Sequence, residues 1–219
     1  MSVPVVTIDG PSGSGKGTIA RLLAKQLGWH FLDSGALYRI SALAAQRRGV
    51  DLSDAQAVAE IAAHLNVSFV GDDETRVLLD GEDVSLLIRS EQAGEAASIV
   101  AAHPPVREAL LGFQRRFATA PGLVADGRDM GTVVFPEAFV KIYLDASAEV
   151  RGARRYKQLN EKGVDANLPQ IVDDIQSRDK RDMQRAVAPL KAADDAHVID
   201  SSFLTVEQVL AECLALIGR

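Results

Sequence analysis

Apolar residues recur along this chain in two rhythms, and their alternation predicts an α/β fold. Five short apolar runs, Val3 to Asp9, Trp29 to Asp33, Gly122 to Asp126, Phe139 to Asp145 and His197 to Asp200, have the length and character of strands buried in a parallel sheet. Each ends in aspartate. The carboxyl ends of parallel strands form the ligand-binding rim of open α/β sheets, so these five carboxylates mark a working edge. Between the runs the period lengthens to that of a helix. Ile19, Leu22, Leu23 and Leu27 share one face before a stop at Gly28. Val206, Val209, Leu210, Cys213 and Ile217 share another, opened by a Thr205 and Gln208 capping box.

About ninety residues separate Asp33 from Gly122, far more than a simple crossover needs, which predicts an inserted region. Within it, Ser53 and Gln56 read as the cap of a helix bearing Val58, Ile61, Ala62 and Leu65. Asn66 to Val70 and Thr75 to Asp80, joined by Gly71-Asp72-Asp73-Glu74, read as an antiparallel hairpin, with Asp80-Gly81 turning again. Pro104-Pro105 precede a helix with Val106, Leu110, Phe113 and Phe117. The expected division is a core of residues 1–33 and 121–219 and a second region of residues 34–120, with a β-rich insert over residues 66–90.

The most specific chemistry lies between the first strand and the first helix: Gly10, Pro11, Ser12, Gly13, Ser14, Gly15, Lys16, Gly17 and Thr18. Glycines let the backbone wrap an anion with N–H groups pointing inward, the following helix offers its positive end, and Lys16 adds a full charge. Gly17 stands where the general phosphate-loop pattern has Ser or Thr, and the hydroxyl comes one place later at Thr18. That form is nearer to nucleoside monophosphate kinases than to GTPases or motor ATPases.

Two further clusters fall on the same rim. Asp126-Gly127-Arg128-Asp129 ends the third strand, and an acidic strand end beside a phosphate loop suits the organisation of Mg2+ and water, with Thr18 and Asp126 as candidate ligands. On a helix expected over Ile171 to Ala186, Arg178, Arg181, Asp182 and Arg185 share one face. Arg151, Arg154 and Arg155 repeat the theme on the preceding helix. Two arginine faces flanking the Gly163-containing connection suggest a helical lid over residues 151–168 that closes on transferring phosphates.

Composition narrows the partners. The 219 residues are 47% hydrophobic, enough for a real core, and no apolar window is long enough to cross a bilayer. One cysteine, Cys213, leaves no intramolecular disulfide, and no export signal is evident, so a cytoplasmic protein is expected. A net charge of −6 argues against duplex nucleic acid as partner. Positive charge is nevertheless concentrated between Arg151 and Lys191, where ten Lys or Arg face six Asp or Glu, as suits a small phosphorylated ligand in a cleft. A monomer without membrane association is expected.

From end to end the chain resembles the bacterial cytidylate kinases. The motifs that carry the resemblance are GPSGSGKGT at Gly10 to Thr18, LDSGALYR at Leu32 to Arg39, LDGEDV at Leu79 to Val84, PGLVADGRDMGTVVFP at Pro121 to Pro136 and RDKRDMQRAVAPL at Arg178 to Leu190. The resemblance implies a P-loop NTPase-type five-stranded parallel sheet with helices on both faces, a small antiparallel β-insert and a helical lid. It also implies transfer of the γ-phosphoryl of ATP to CMP or dCMP. On this sequence, Ser98, Arg107 and Asp129 would face the cytosine, Arg39, Arg128 and Arg185 its phosphate, and Ser34, Arg178 and Asp182 the ribose and phosphate. Lys16 and the loop amides would hold the β- and γ-phosphates, with Arg151, Arg154, Arg155, Arg181 and Arg185 cushioning the transferred group. A carboxylate complements the N4 amino group of cytosine and opposes the carbonyl of uracil. Rival readings are a kinase for UMP, AMP or a metabolite such as shikimate, a GTP-binding switch, for which the Asn-Lys-x-Asp motif is lacking, and a non-catalytic nucleotide-binding module.

Overall fold

The computed structural model describes residues 3–70, 76–161 and 163–218, which divide into two compact units. The larger, residues 1–33 and 115–219, is built on five parallel strands: β1 (Val5–Asp9), β2 (His30–Asp33), β6 (Leu123–Gly127), β7 (Val140–Asp145) and β8 (His197–Asp200). Their order is β2-β6-β1-β7-β8, with β1 in the centre. Central position explains composition: every residue of β1 and of β6 is buried, whereas edge strand β8 buries only Ile199. The register sets Asp33 beside Asp126, Asp9 beside Gly127 and Asp145 beside Asp200, so the strand-end carboxylates gather on one edge as expected.

Helix α1 (Lys16–Leu27) and the terminal helix α8 (Val206–Ile217) pack on this sheet. Ile19, Leu23, Val209, Cys213 and Ile217 join Val6, Ile8, Val124, Ile142 and Leu144 in one core. Gly28 ends α1 in the left-handed conformation, and Thr205 with Gln208 forms the reciprocal box that opens α8. Helices α6 (Ala148–Glu161) and α7 (Leu168–Met183) lie against each other, with Asn167 capping α7 by accepting the Gln170 N–H. Helix α7 stops three residues short of the expected Ala186. Gln184 caps it, and Arg185 lies beyond the helix.

The second unit, residues 34–114, carries α2 (Ser34–Arg47), α3 (Ala55–Ala63), strands β3 (Val67–Val70), β4 (Arg76–Leu79) and β5 (Glu82–Asp83), and helices α4 (Glu91–Val100) and α5 (Pro104–Arg115), the last residue of α5 belonging to the larger unit. The antiparallel order β3-β4-β5 is that of the expected hairpin and its Asp80-Gly81 return, while Gly71 to Glu74 and Thr75 lie outside the described residues. Two local readings need correction. Asp54, not Ser53, caps α3: its Oδ1 accepts the Ala57 N–H at 3.0 Å, while Ser53 donates to Asp51. Phe117 lies past the end of α5, and Val106 and Leu110 form its buried face. Helix α4, rich in alanine and without a strong apolar stripe, was not foreseen.

Replacing Asp54 by Ala is expected to cost about 1 kcal/mol in urea unfolding, as for other N-caps, and Ser53→Ala distinctly less. Equal losses at the two positions would return the cap to Ser53.

Candidate functional site

Chain geometry at the end of β1 builds the anion cradle. Gly10, Gly13 and Gly15 all take positive φ, and Gly15 leads directly into α1. Lys16, the first helical residue, is buried, donates from Nζ to the Pro11 carbonyl at 3.2 Å and lies 4.0 Å from Asp126 Oδ1. Burial, reinforced by the nearby Arg128 guanidinium, pulls its ammonium down to about 7 against the opposing pull of Asp126. The unusual Gly17 has a steric cause: a Cβ there would sit 3.0 Å from Asp126 Oδ2. A side chain at this position would press on the Asp126 carboxylate, which would have to give way. The hydroxyl moves to Thr18, which is exposed.

Beside the loop lies a cavity of about 360 Å³, lined by Gly13, Ser14, Gly15, Thr18, Arg151, Arg154, Arg155, Gln158, Ser201, Leu204, Thr205 and Val206. Its cationic wall is braced against the loop itself. Arg151 donates to the Ser12 carbonyl at 2.9 Å and, through two nitrogens, to both oxygens of Asp179 on α7. Arg154 donates to the Ser14 carbonyl at 3.4 Å and to the Ser201 carbonyl at 2.6 Å. Arg155 contacts Gln158, and burial lowers its pKa. Apolar Leu204 and Val206 and three arginines share the lining, a mixture that suits a flat base joined to a polyphosphate.

At the end of β6 a second cationic group is tied by one carboxylate. Asp182 accepts from Arg128 Nε at 3.0 Å on one oxygen and from Arg185 on the other, so Arg185 stays in the cluster although it lies past the helix. Burial alone would raise the Asp182 carboxyl, but Arg128, Arg185 and Arg178 outweigh it and hold it below the usual range. Arg178 is half-buried near this group. Arg181 is exposed, outside the cluster that the shared helix face suggested.

Asp129, buried, precedes a single π-helical turn, Met130–Val134, that sequence reading missed. Asp9, the last residue of β1, accepts the Met130 and Gly131 N–H groups, each at 2.8 Å. Burial pushes its carboxyl up to about 7, against the pull of those two amides. Arg115 donates to the Val134 and Val133 carbonyls at 3.0 and 3.2 Å.

Within the second unit, Ser34 is buried in the first turn of α2 and Arg39 lies half-buried one turn on. Ser98 on α4 is buried, its hydroxyl without a hydrogen bond among the described residues. Arg107 on α5 donates to the Ala101 carbonyl at 3.2 Å and stacks over the Tyr38 ring, 5.6 Å from its centroid.

Comparison with known proteins decides what this site belongs to. The cytidylate kinase family model matches residues 6–219. The chain belongs to the cytidylate kinase family. It is 60% identical to the cytidylate kinase of Aeromonas salmonicida, over 97% of this chain and 93% of that one, and 58% identical to that of Photobacterium profundum, over 99% and 95%. A sugar kinase structure from a Janibacter species, 18% identical, covers 99% of this chain and 95% of that one with a TM-score of 0.50, a likeness of fold alone. Membership makes the chain a nucleoside monophosphate kinase, a phosphotransferase.

Within a cytidylate kinase frame, the phosphate loop, the arginines of α6, and Arg128 with Asp182 and Arg185 are all brought to one end of the larger unit's sheet. Ser34, Arg39, Ser98 and Arg107 belong to the other unit. Sequence reading missed Arg115 and Asp179, which carried no local signal, and saw Asp9 only as one of the strand-end aspartates. Among the described residues no group of three or more His, Cys, Asp or Glu could hold a metal, and no helix is long and apolar enough to cross a membrane.

A carboxyl held low by folding stabilises the native state above its unfolded pKa of about 4 and loses that contribution as pH falls through the folded value. Wild type is therefore expected to exceed Asp182→Asn in urea midpoint at neutral pH, with the gap closing below about pH 4. A gap that stays constant with pH would remove the ionised Asp182 from the account.

Proposed function

We propose that this chain transfers the γ-phosphoryl group of ATP to CMP or dCMP, giving ADP and CDP or dCDP. The observation that carries the reading is the cradle at the end of β1: Gly10, Gly13 and Gly15 at positive φ lead into α1, whose first residue, the buried Lys16, sits 4.0 Å from Asp126 at the neighbouring strand end. Burial, and after it the charge of Arg128, lowers the pKa of the Lys16 ammonium. An anion shared between the two cations relieves that cost, and a transferring phosphoryl group is such an anion. Little covalent work is needed, so no general base is assigned.

The loop amides of Gly10 to Thr18 and Lys16 hold the donor phosphates, with Arg155 facing the same cavity and Arg151 and Arg154 stiffening its wall. Helices α6 and α7 form the lid, and Arg181, exposed in this structure, is left for a closed state. Arg39, Arg128, Arg178 and Arg185 receive the acceptor phosphate, oriented by Asp182, with Ser34 near the ribose. Asp129, Arg107 and Ser98 read the cytosine: a carboxylate accepts the N4 amino group and leaves uracil an unpaired carbonyl.

The donors near the loop fit a magnesium ion: the Asp126 carboxylate beside Gly17 and the Thr18 hydroxyl are both oxygen ligands, as a hard cation requires. Asp126 and Thr18 would hold the ion, which would supply positive charge to offset that of the donor phosphates. The acidic net charge supports free nucleotides rather than nucleic acid as substrates, and the reading places the enzyme in the cytoplasm as a monomer.

The test is ADP release from MgATP with CMP, dCMP, UMP and AMP in parallel. CMP and dCMP are expected to support the fastest release, and Lys16→Ala to lower kcat by about 100-fold or more while circular dichroism stays native. ADP release indifferent to the pyrimidine monophosphate would refute the proposal.

A further inference from the structure

The π-helical turn after Asp129 is held from outside at both ends. At its start, the two oxygens of Asp9 accept the Met130 and Gly131 N–H groups; at its end, the Arg115 guanidinium donates to the Val133 and Val134 carbonyls. A carboxylate at the N–H end and a guanidinium at the C=O end match the partial charges of a helical turn and satisfy groups that a single turn leaves open. The seat is tight as well: a Cβ on Gly131 would lie 2.9 Å from Thr7 Oγ1 of β1. Single π-helical turns are frequent at functional sites. The peptide gripped most directly joins Asp129 to Met130, and Asp9 is followed at once by Gly10 of the phosphate loop.

We propose that Asp9 and Arg115 are positioning residues for base recognition, fixing through the Met130–Val134 turn the backbone from which the Asp129 carboxylate projects, in a set relation to the phosphate loop. Neither touches substrate. The inference rests on the reading of Asp129 as the carboxylate that faces cytosine. Asp9 does for this turn what a capping side chain does for a helix, but it reaches in from the central strand, so the donor-side loop and the base-reading residue share one rigid anchor.

The experiment measures the ratio of kcat/KM for CMP over UMP in wild type, Asp9→Asn, Arg115→Ala, Asp129→Ala and the core control Ile199→Ala. Asn keeps the volume of Asp9 but turns an N–H2 toward one of the two amide donors; Arg115 is exposed, so its truncation leaves the core intact. Asp9→Asn and Arg115→Ala are each expected to lower the ratio by about 10- to 100-fold, as small displacements of a positioned group do, through KM for CMP and with KM for ATP unchanged. Ile199→Ala lowers Tm and leaves the ratio alone. If Asp129→Ala relaxes the ratio while both clamp variants keep it, the inference falls and the base reading stands. If Asp129→Ala leaves the ratio intact, the base reading fails and takes the inference with it. Should Asp9→Asn not accumulate as folded protein, Arg115→Ala decides by the same criterion.

Discussion

Crowded positive charge at the carboxyl edge of the central sheet is the constraint to which the rest of the larger unit answers. Lys16 is buried, and Arg128 stands near enough to weaken its charge; Arg151, Arg178 and Arg185 add to the crowd. Left alone such groups would repel, deprotonate or swing into water. Here Lys16 is held by Asp126 and Pro11, Arg151 by Asp179 and Ser12, and Arg128 and Arg185 by Asp182. On the proposed reading, the protein thus keeps fixed cations where phosphate charge would develop, at a cost in stability that nucleotide binding would offset.

The same constraint explains several residues that look unrelated in the chain. A Cβ on Gly17 would press on Asp126, and one on Gly131 would lie 2.9 Å from Thr7 Oγ1, where the turn after Asp129 seats. Arg151 and Asp179 lie on different helices, α6 and α7, and their ion pair, with the Arg151 bond to Ser12, joins both helices to the loop. In this structure Arg151 and Arg154 act first as braces.

Much of the fold was legible because its signals are local. Apolar runs located all five strands of the parallel sheet, Gly28 and the Thr205–Gln208 box located two helix ends, and Asp80-Gly81 located the β-return. Where two acceptors compete one residue apart, as Ser53 and Asp54 do, sequence gives no ranking, and the carboxylate won because Asp51 engages the serine. The end of α7 was misplaced since the arginine periodicity continues past it, Arg185 reaching Asp182 from outside the helix. The phosphate loop and the strand-end Asp126 were legible; the pairings Arg151–Asp179 and Arg128–Asp182 were not, because they join residues remote in sequence. Asp9 was seen as one of five rim carboxylates, but its task depends on a π-turn with no sequence signature.

That the cationic site is strained until phosphate arrives is tested most directly by unfolding Lys16→Met in urea at neutral pH, with and without MgATP. The account predicts that the variant is at least as stable as wild type in the absence of nucleotide, since a buried ammonium near Arg128 is gone, and that only wild type gains stability when nucleotide is added. A variant that is weaker alone and is still stabilised by MgATP would contradict it.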